Sequence, residues 1–341
     1  MTSGLIDTSA FSASLRSKAI RRETGELLVA RLTGSSQEED LTEPVNCSGV
    51  GRIRHFRRAT SEGWPENSLP LDPAAHRLGV ARLDTVRAQV FQNAACNWRC
   101  WYCFVPFGLL NADEKQGEWL TAGELVKRFG DEADRPSILD LSGGQPDLVP
   151  EWIPWTMDAL ENQGLAESTY LWSDDNLSND YFWTQLSTEQ IDRIAAYQNY
   201  GKVGCFKGFD HSSFSSNTRA KPELFEQQFD LFRRSVEIGL DVYGYATFTA
   251  DTDAGIAEKM QEFVERLQSI SKSLPLRVIP LQVGLFNPVK KETAARRITA
   301  AHEKSLEIQE HAIACWQNVS AVTSKCTTHG HFKVHHPLGL N

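Results

Sequence analysis

The chain has 341 residues, 41% of them hydrophobic, and a net charge of −9, a length that holds one large α/β domain with a small extension, or two domains. No apolar run approaches the roughly 20 residues of a membrane span, and the acidic balance counts against a broad nucleic-acid surface while leaving room for a local basic groove. Seven cysteines, three of them clustered, do not make a disulfide framework, and no charged-then-apolar leader pattern opens the chain, so the expected compartment is the reducing cytoplasm, with no membrane partner.

Residues 1–84 read as an N-terminal extension and linker. The stretch 19–32 predicts a helix with a basic start, followed by a solvated loop over 34–40. The basic stretch from Arg52 to Arg58 alternates with apolar residues. An alternating strand with a wet face is preferred there over an edge strand that meets an anionic substrate. Pro and turn formers over 60–80 suggest a linker wrapping toward the core.

A repeating order begins near residue 86. Strands are expected over 86–92, 137–141, 169–172, 202–206, 241–248 and 276–283. Between and after them run helices from Thr121 (with capping-box spacing to Glu124), Pro150, Ser187, Pro222 and Gly255, and a long helical stretch over 292–316. Alternation implies parallel strands with right-handed crossovers. Six units are too few to close an eight-stranded barrel, so the expected fold is α/β, a six-unit (β/α)6 partial TIM barrel over 85–320 with the N-terminal extension before it. A short His-rich tail over 321–341 holds Cys326, His329, His331, His335 and His336, a flexible tail or a metal site. In parallel barrels the active site lies at the C-terminal ends of the strands.

The first of those ends carries Cys96-Asn97-Trp98-Arg99-Cys100-Trp101-Tyr102-Cys103, three thiols spaced C-x3-C-x2-C. Thiols this close are metal or cluster ligands, a redox site, or accidental. Structural zinc normally takes four ligands, often as two separated pairs, and no second pair follows. Iron–sulfur clusters are held by Cys thiolates, and a four-iron cluster on three thiolates keeps one iron open for a small molecule.

This spacing, with Tyr102 just before the third cysteine, resembles the radical S-adenosylmethionine superfamily. Leu141-Ser142-Gly143-Gly144-Gln145-Pro146 is similar to that family's Gly-Gly-Glu-Pro turn. The resemblance implies that Cys96, Cys100 and Cys103 hold a [4Fe-4S] cluster whose open iron takes the amino and carboxylate groups of S-adenosylmethionine. One electron, from a reductant such as flavodoxin or ferredoxin, then cleaves the sulfonium bond, and the 5′-deoxyadenosyl radical removes a hydrogen atom from substrate.

The resemblance extends to a cofactor-binding set. It implies that the peptide groups of Gly143 and Gly144 hold the cofactor's amino group, with Ser142 in the same turn, where the ordinary reading is a strand-to-helix turn, and Gln145 stands where the family has Glu. Ser173, Asp175 and Asn176 after the third strand fall near the ribose and carboxylate. Each has an ordinary reading as a turn former. Gly204 to Asp210 looks like a segment of the pyruvate formate-lyase activating enzyme group, with Lys207 facing the carboxylate and Cys205 where that group has Asp. Cys205 is read as a buried thiol rather than an extra ligand. Leu281, on the sixth strand, would sit against the adenine or serve as core. Trp98 and Trp101 would shield the cluster, while Trp152, Trp155 and Trp183 are expected in helix–sheet packing. The substrate is unidentified. A small metabolite or nucleotide comes first, then a protein or peptide (including glycyl-radical activation), then RNA through Arg52–Arg58. A non-catalytic iron–sulfur or zinc scaffold is the reading from another class.

Overall fold

The computed structural model describes residues 4–286 and 300–326, with side chains as far as 320. Helix α1 (Thr8–Ala19) opens it, capped by Asp7, whose side chain accepts the Ala10 N–H. The helix expected over 19–32 is not there. Strands β1 (Ile20–Arg21) and β2 (Glu26–Ala30) stand in its place, turning at Gly25 with φ of +67°. Leu27, Leu28, Val29 and Ala30 are all buried. A short apolar run of this kind is ambiguous between helix and strand by periodicity alone. A distant partner decides it: β2 pairs antiparallel with β5 (Gly117–Thr121), with Leu27 opposite Leu120.

The main sheet has seven strands and curls into a half-barrel. Its edge is β3 (Gly51–Arg57), antiparallel to β4 (Thr85–Phe91). From β4 the sheet continues in parallel through β6 (Ile138–Leu141), β7 (Tyr170–Asp175), β8 (Tyr200–Phe206), β9 (Val242–Thr247) and β10 (Val278–Leu281). All six strands expected from the sequence are present.

Strand–helix alternation is looser than expected. Helices α3 (Ala122–Asp131), α4 (Trp152–Asn162), α6 (Thr188–Ala196), α8 (Leu224–Glu237) and α9 (Ile256–Ile270) fall where the sequence put them. Two short extra helices, α5 (Tyr181–Gln185) and α7 (His211–Thr218), and strand β5 break the pattern. α7 exists because Asp210 and Ser213 form a reciprocal capping box. The last helix, α10 (Ala300–Cys326), runs past 316. Residues 292–299 of the expected helix, and His329, His331, His335 and His336, lie outside the described residues. Among those described, no helix is long and apolar enough to cross a membrane.

The sheet buries both faces. The convex face packs on the helices, with Trp152 fully buried and Trp155 and Trp183 at the margin of that core. The concave face carries Ile138, Trp172, Val203 and Tyr243. The segment 60–80 is more than a linker. It forms α2 (Leu71–Arg77) and feeds Leu69, Leu71 and Ala74 into the concave core, where Tyr245 Oη donates to the Leu69 carbonyl at 3.0 Å. Strand β3 has no wet face: Arg52 is 5% exposed and Arg54 is half-buried. The closed side of the half-barrel takes up both arginines, and α2 neutralises Arg58 through Asp72 at 2.5 Å.

Candidate active site

The cysteine loop leaves the end of β4 and is braced from two sides. Its backbone N–H groups at Arg99 and Trp101 donate to the carbonyls of Thr218 and Asn217 at the end of α7. From the other side α1 lies against it. Asn97 donates to Ser12 Oγ at 2.8 Å, and the Trp98 indole to Thr8 Oγ1 at 3.2 Å. Arg16, at the far end of α1, is tied to Glu151 at 2.5 Å. Trp98 is thus buried against the N-terminal helix and Phe214, while Trp101 stacks on His302 of α10 at 4.8 Å.

Cys96, Cys100 and Cys103 line one cavity of about 290 Å³ at the C-terminal ends of the parallel strands. Tyr102, Ser142, Gly143, Gly144, Gln145, Asp175, Asn176, Lys207 and Leu281 line the same cavity. Ser173 does not. It is fully buried, with its hydroxyl 2.7 Å from Tyr200 Oη, because the alternation along β7 turns it to the convex face. The residue that this alternation sends into the cavity is Asp174. Arg54, Tyr245, Thr247 and the segment from Gln282 to Gly284 also line it. Arg54 belongs to the basic stretch that the sequence also offered as an edge strand meeting an anionic substrate, and its alternation with Arg52 is the signal.

The Gly-Gly turn sits where only glycine fits. Gly143 and Gly144 have φ of +87° and +67°. A Cβ on Gly144 would lie 2.4 Å from the Asn93 carbonyl oxygen and 2.5 Å from that of Ala95. The turn is therefore pressed onto the backbone just before the first cysteine. Gln145 locks it there: its N–H donates to the Ala95 carbonyl at 2.7 Å, and its own carbonyl accepts from Asn93 at 2.9 Å. Its side chain donates to Asp175 Oδ1 at 2.7 Å and accepts the Asn176 N–H at 2.9 Å. Behind it Lys202 lies buried between Asp147 at 2.7 Å and Asp175 at 3.7 Å.

Burial pushes Cys100 up to about 11 and Cys103 up to about 12, each raised further by its neighbouring cysteines. Left alone, such thiols stay protonated; a bound metal's charge reverses this and deprotonates them. Burial opposes the charge on Lys207, but Cys205, Tyr102, Cys100 and Cys96 around it outweigh burial and keep its pKa above the usual lysine value. Burial also pushes Cys205 up to about 12. Asn176 Nδ2 lies 3.7 Å from Cys96 Sγ and completes the polar wall. Among the described residues no three His, Cys, Asp or Glu side chains converge as they would on a single metal ion. A donor set of three cysteine thiols around one cavity is of the kind that holds an iron–sulfur cluster.

No family model matches the chain, and no curated protein matches it. Among solved structures it is similar to Streptococcus suis SuiB bound to S-adenosylmethionine, at 16% identity and a TM-score of 0.38, covering 52% of this chain and 36% of that one. It is also similar to TYW1 with a lysine-pyruvate adduct bound, at 12% identity and a TM-score of 0.38, covering 67% of this chain and 85% of that one. The chain thus spans little more than a third of the length of SuiB.

Proposed function

We propose that the chain is a radical S-adenosylmethionine enzyme on a (β/α)6 partial barrel. The observation that supports it is the meeting of Cys96, Cys100 and Cys103 with the Gly143-Gly144 turn, Asn176 and Lys207 around one cavity at the strand ends. On this reading the three thiols hold a [4Fe-4S] cluster. When bound, the cluster and S-adenosylmethionine together supply a one-electron cleavage that yields a hydrogen-abstracting 5′-deoxyadenosyl radical.

The chain's own residues bind, orient and exclude water. The Gly143 and Gly144 peptides receive the cofactor's amino group, and Lys207 faces its carboxylate. Gln145 and Asp175 fix the turn from behind. Tyr102, hydrogen-bonded to Thr247 Oγ1 at 3.2 Å, closes the cavity beside the thiols. Leu281 packs against the adenine. Helix α1 and Trp98 seal the cysteine loop from solvent. A small one-electron reductant such as flavodoxin or ferredoxin serves it.

A small-metabolite or nucleotide substrate stays first, because the cavity is compact. Lys207 supports the protein-activating alternative, although Cys205 stands in place of a carboxylate there. The RNA alternative loses its support, since Arg52 and Arg54 are turned inward and Arg58 is paired. The test is anaerobic reconstitution with iron and sulfide, followed by S-adenosylmethionine and dithionite. Cluster-dependent 5′-deoxyadenosine and methionine are expected. A protein that forms the cluster but never binds S-adenosylmethionine would be the scaffold instead.

A further inference from the structure

The same cavity has a second charged group that the reading above leaves unused. Arg54 and Asp174 line it, and Arg52 and Asp140 stand behind them, 5% and 0% exposed. Arg52 and Arg54 share one face of β3, two residues apart. Arg54 Nη1 is 3.4 Å from Asp140 Oδ2 and 3.9 Å from Asp174 Oδ2. Ser142 Oγ donates to Asp174 Oδ2 at 2.5 Å. These contacts leave Nε and Nη2 of Arg52 and the Oδ1 atoms of Asp140 and Asp174 buried and without a hydrogen-bond partner. The Arg52 guanidinium packs 5.1 Å from the ring centre of Phe104, itself a wall of the cavity.

Buried polar groups are almost always hydrogen-bonded, so several orphans in one cluster beside a cavity mark a place built for a ligand. Nε and Nη2 share one edge of the guanidinium, the fork that grips both oxygens of a carboxylate. The unpartnered carboxylate oxygens can accept from an ammonium group. Arg54 and Asp174 put one charge of each sign on the cavity wall, which favours a ligand that likewise carries one charge of each sign.

We propose that Arg52, Arg54, Asp140 and Asp174 form the recognition end of the cavity and that the substrate is a small zwitterion of the amino-acid type. Arg54, backed by Arg52, holds its carboxylate, and Asp174, backed by Asp140, holds its ammonium. This rests on the reading of the cavity as a substrate site, with S-adenosylmethionine on the cysteine and Lys207 side.

The test uses the full chain, anaerobically loaded with its cluster and S-adenosylmethionine, and three probes small enough for any pocket: carbon-13-labelled glycine, acetate and methylammonium. Glycine resonances should broaden at least about threefold more than those of either single-charge probe at equal concentration, because only glycine meets both halves of the site. Arg52→Lys, which keeps the charge and loses the fork, and Arg54→Met should bring glycine down to the acetate level while affinity for S-adenosylmethionine stays within about twofold. Equal broadening of glycine and acetate, or none for any probe, overturns the proposal without needing a folded variant. A loss of S-adenosylmethionine affinity of about tenfold or more in Arg54→Met also overturns it, by giving the cluster to the cofactor. Binding of S-adenosylmethionine to the wild type, measured on the same samples, reports separately on the enzyme class. Its absence would sink that reading while the glycine comparison still decides this one.

Discussion

The side-chain amide of Gln145 donates to Oδ1 of Asp175 across 2.7 Å, in a place where Gln145 is fully buried. The family turn resembled here carries Glu at this position, and the contact explains the difference. A glutamate would set two carboxylates against each other in a dry site that Lys202 already shares with Asp147. Gln145→Glu should therefore destabilise the fold by about 3 kcal/mol, the order expected for a buried polar group facing no proper partner. Gln145→Glu with Asp175→Asn should recover most of that, since the donor and acceptor are exchanged. Urea unfolding of the four proteins of the cycle checks it, and additive single effects would refute the coupling.

That pair also shows what the sequence can and cannot carry. The six parallel strands are legible because each is a short apolar run bounded by turn formers, and the cysteine and Gly-Gly motifs are legible because they are local. Strands β1 and β2 are not, because β5, the strand that fixes β2 on its other side, comes some ninety residues later. Ser173 and Asp174 are adjacent, so choosing which faces the cavity needs the register of β7 against β8, where Ser173 pairs with Lys202. Arg52 and Arg54 look like a wet edge until the closed side of the half-barrel is known to cover them.

Cys100→Ala should abolish both the four-iron chromophore and cleavage of S-adenosylmethionine. With two thiolates left, Cys96 and Cys103, the cluster loses a third of its protein ligands. Iron and sulfide analysis after anaerobic reconstitution, with product detection by chromatography, reads both. Cleavage at the wild-type rate would remove these cysteines from the proposed centre.

Lys207→Met should weaken S-adenosylmethionine binding roughly ten- to a hundredfold, the range for losing a hydrogen bond to a charged group. The cluster should remain intact, because Lys207 faces the thiols without being a ligand. Isothermal titration against the reconstituted protein measures the affinity, and absorbance reports the cluster. An unchanged affinity would place the cofactor's carboxylate elsewhere.

Asp140 gives a pH signature. Burial first, and then the neighbouring Asp174, push its carboxyl from 3.8 up to about 8, outweighing Arg54, whose contact is long at 3.4 Å. The folded state thus holds a proton that the unfolded chain gives up near pH 4. The stabilisation is fully present below that pH and is lost as pH rises through about 8. One proton's difference contributes a slope of at most about 1.4 kcal/mol per pH unit across that window. Asp140→Asn, which cannot ionise, should flatten this part of the profile. Denaturant unfolding of both proteins at several pH values between those limits tests the sign. A wild type that gains stability there relative to Asp140→Asn would show an ionised Asp140.

Gly144→Ala should be strongly destabilising. The position needs φ of +67°, and the added Cβ would meet the carbonyl oxygens of Asn93 and Ala95 at 2.4 and 2.5 Å. Both obstacles are backbone, so no side chain can swing away, and the turn must lift off the cysteine loop. Left-handed strain and overpacking together predict a loss of about 3 kcal/mol. Gly123→Ala, a first-turn helix position whose Cβ would meet only Thr121 Oγ1 at 3.8 Å, is the control and should change stability by less than about 1 kcal/mol. If the Gly144 variant folds as well as the control, the turn is not pinned. If it folds poorly but regains the wild-type cluster once refolded with iron and sulfide, the turn supports stability alone. Loss of cluster assembly in the folded fraction would show that the contact between Gly144 and the backbone before Cys96 also sets the geometry of the thiols.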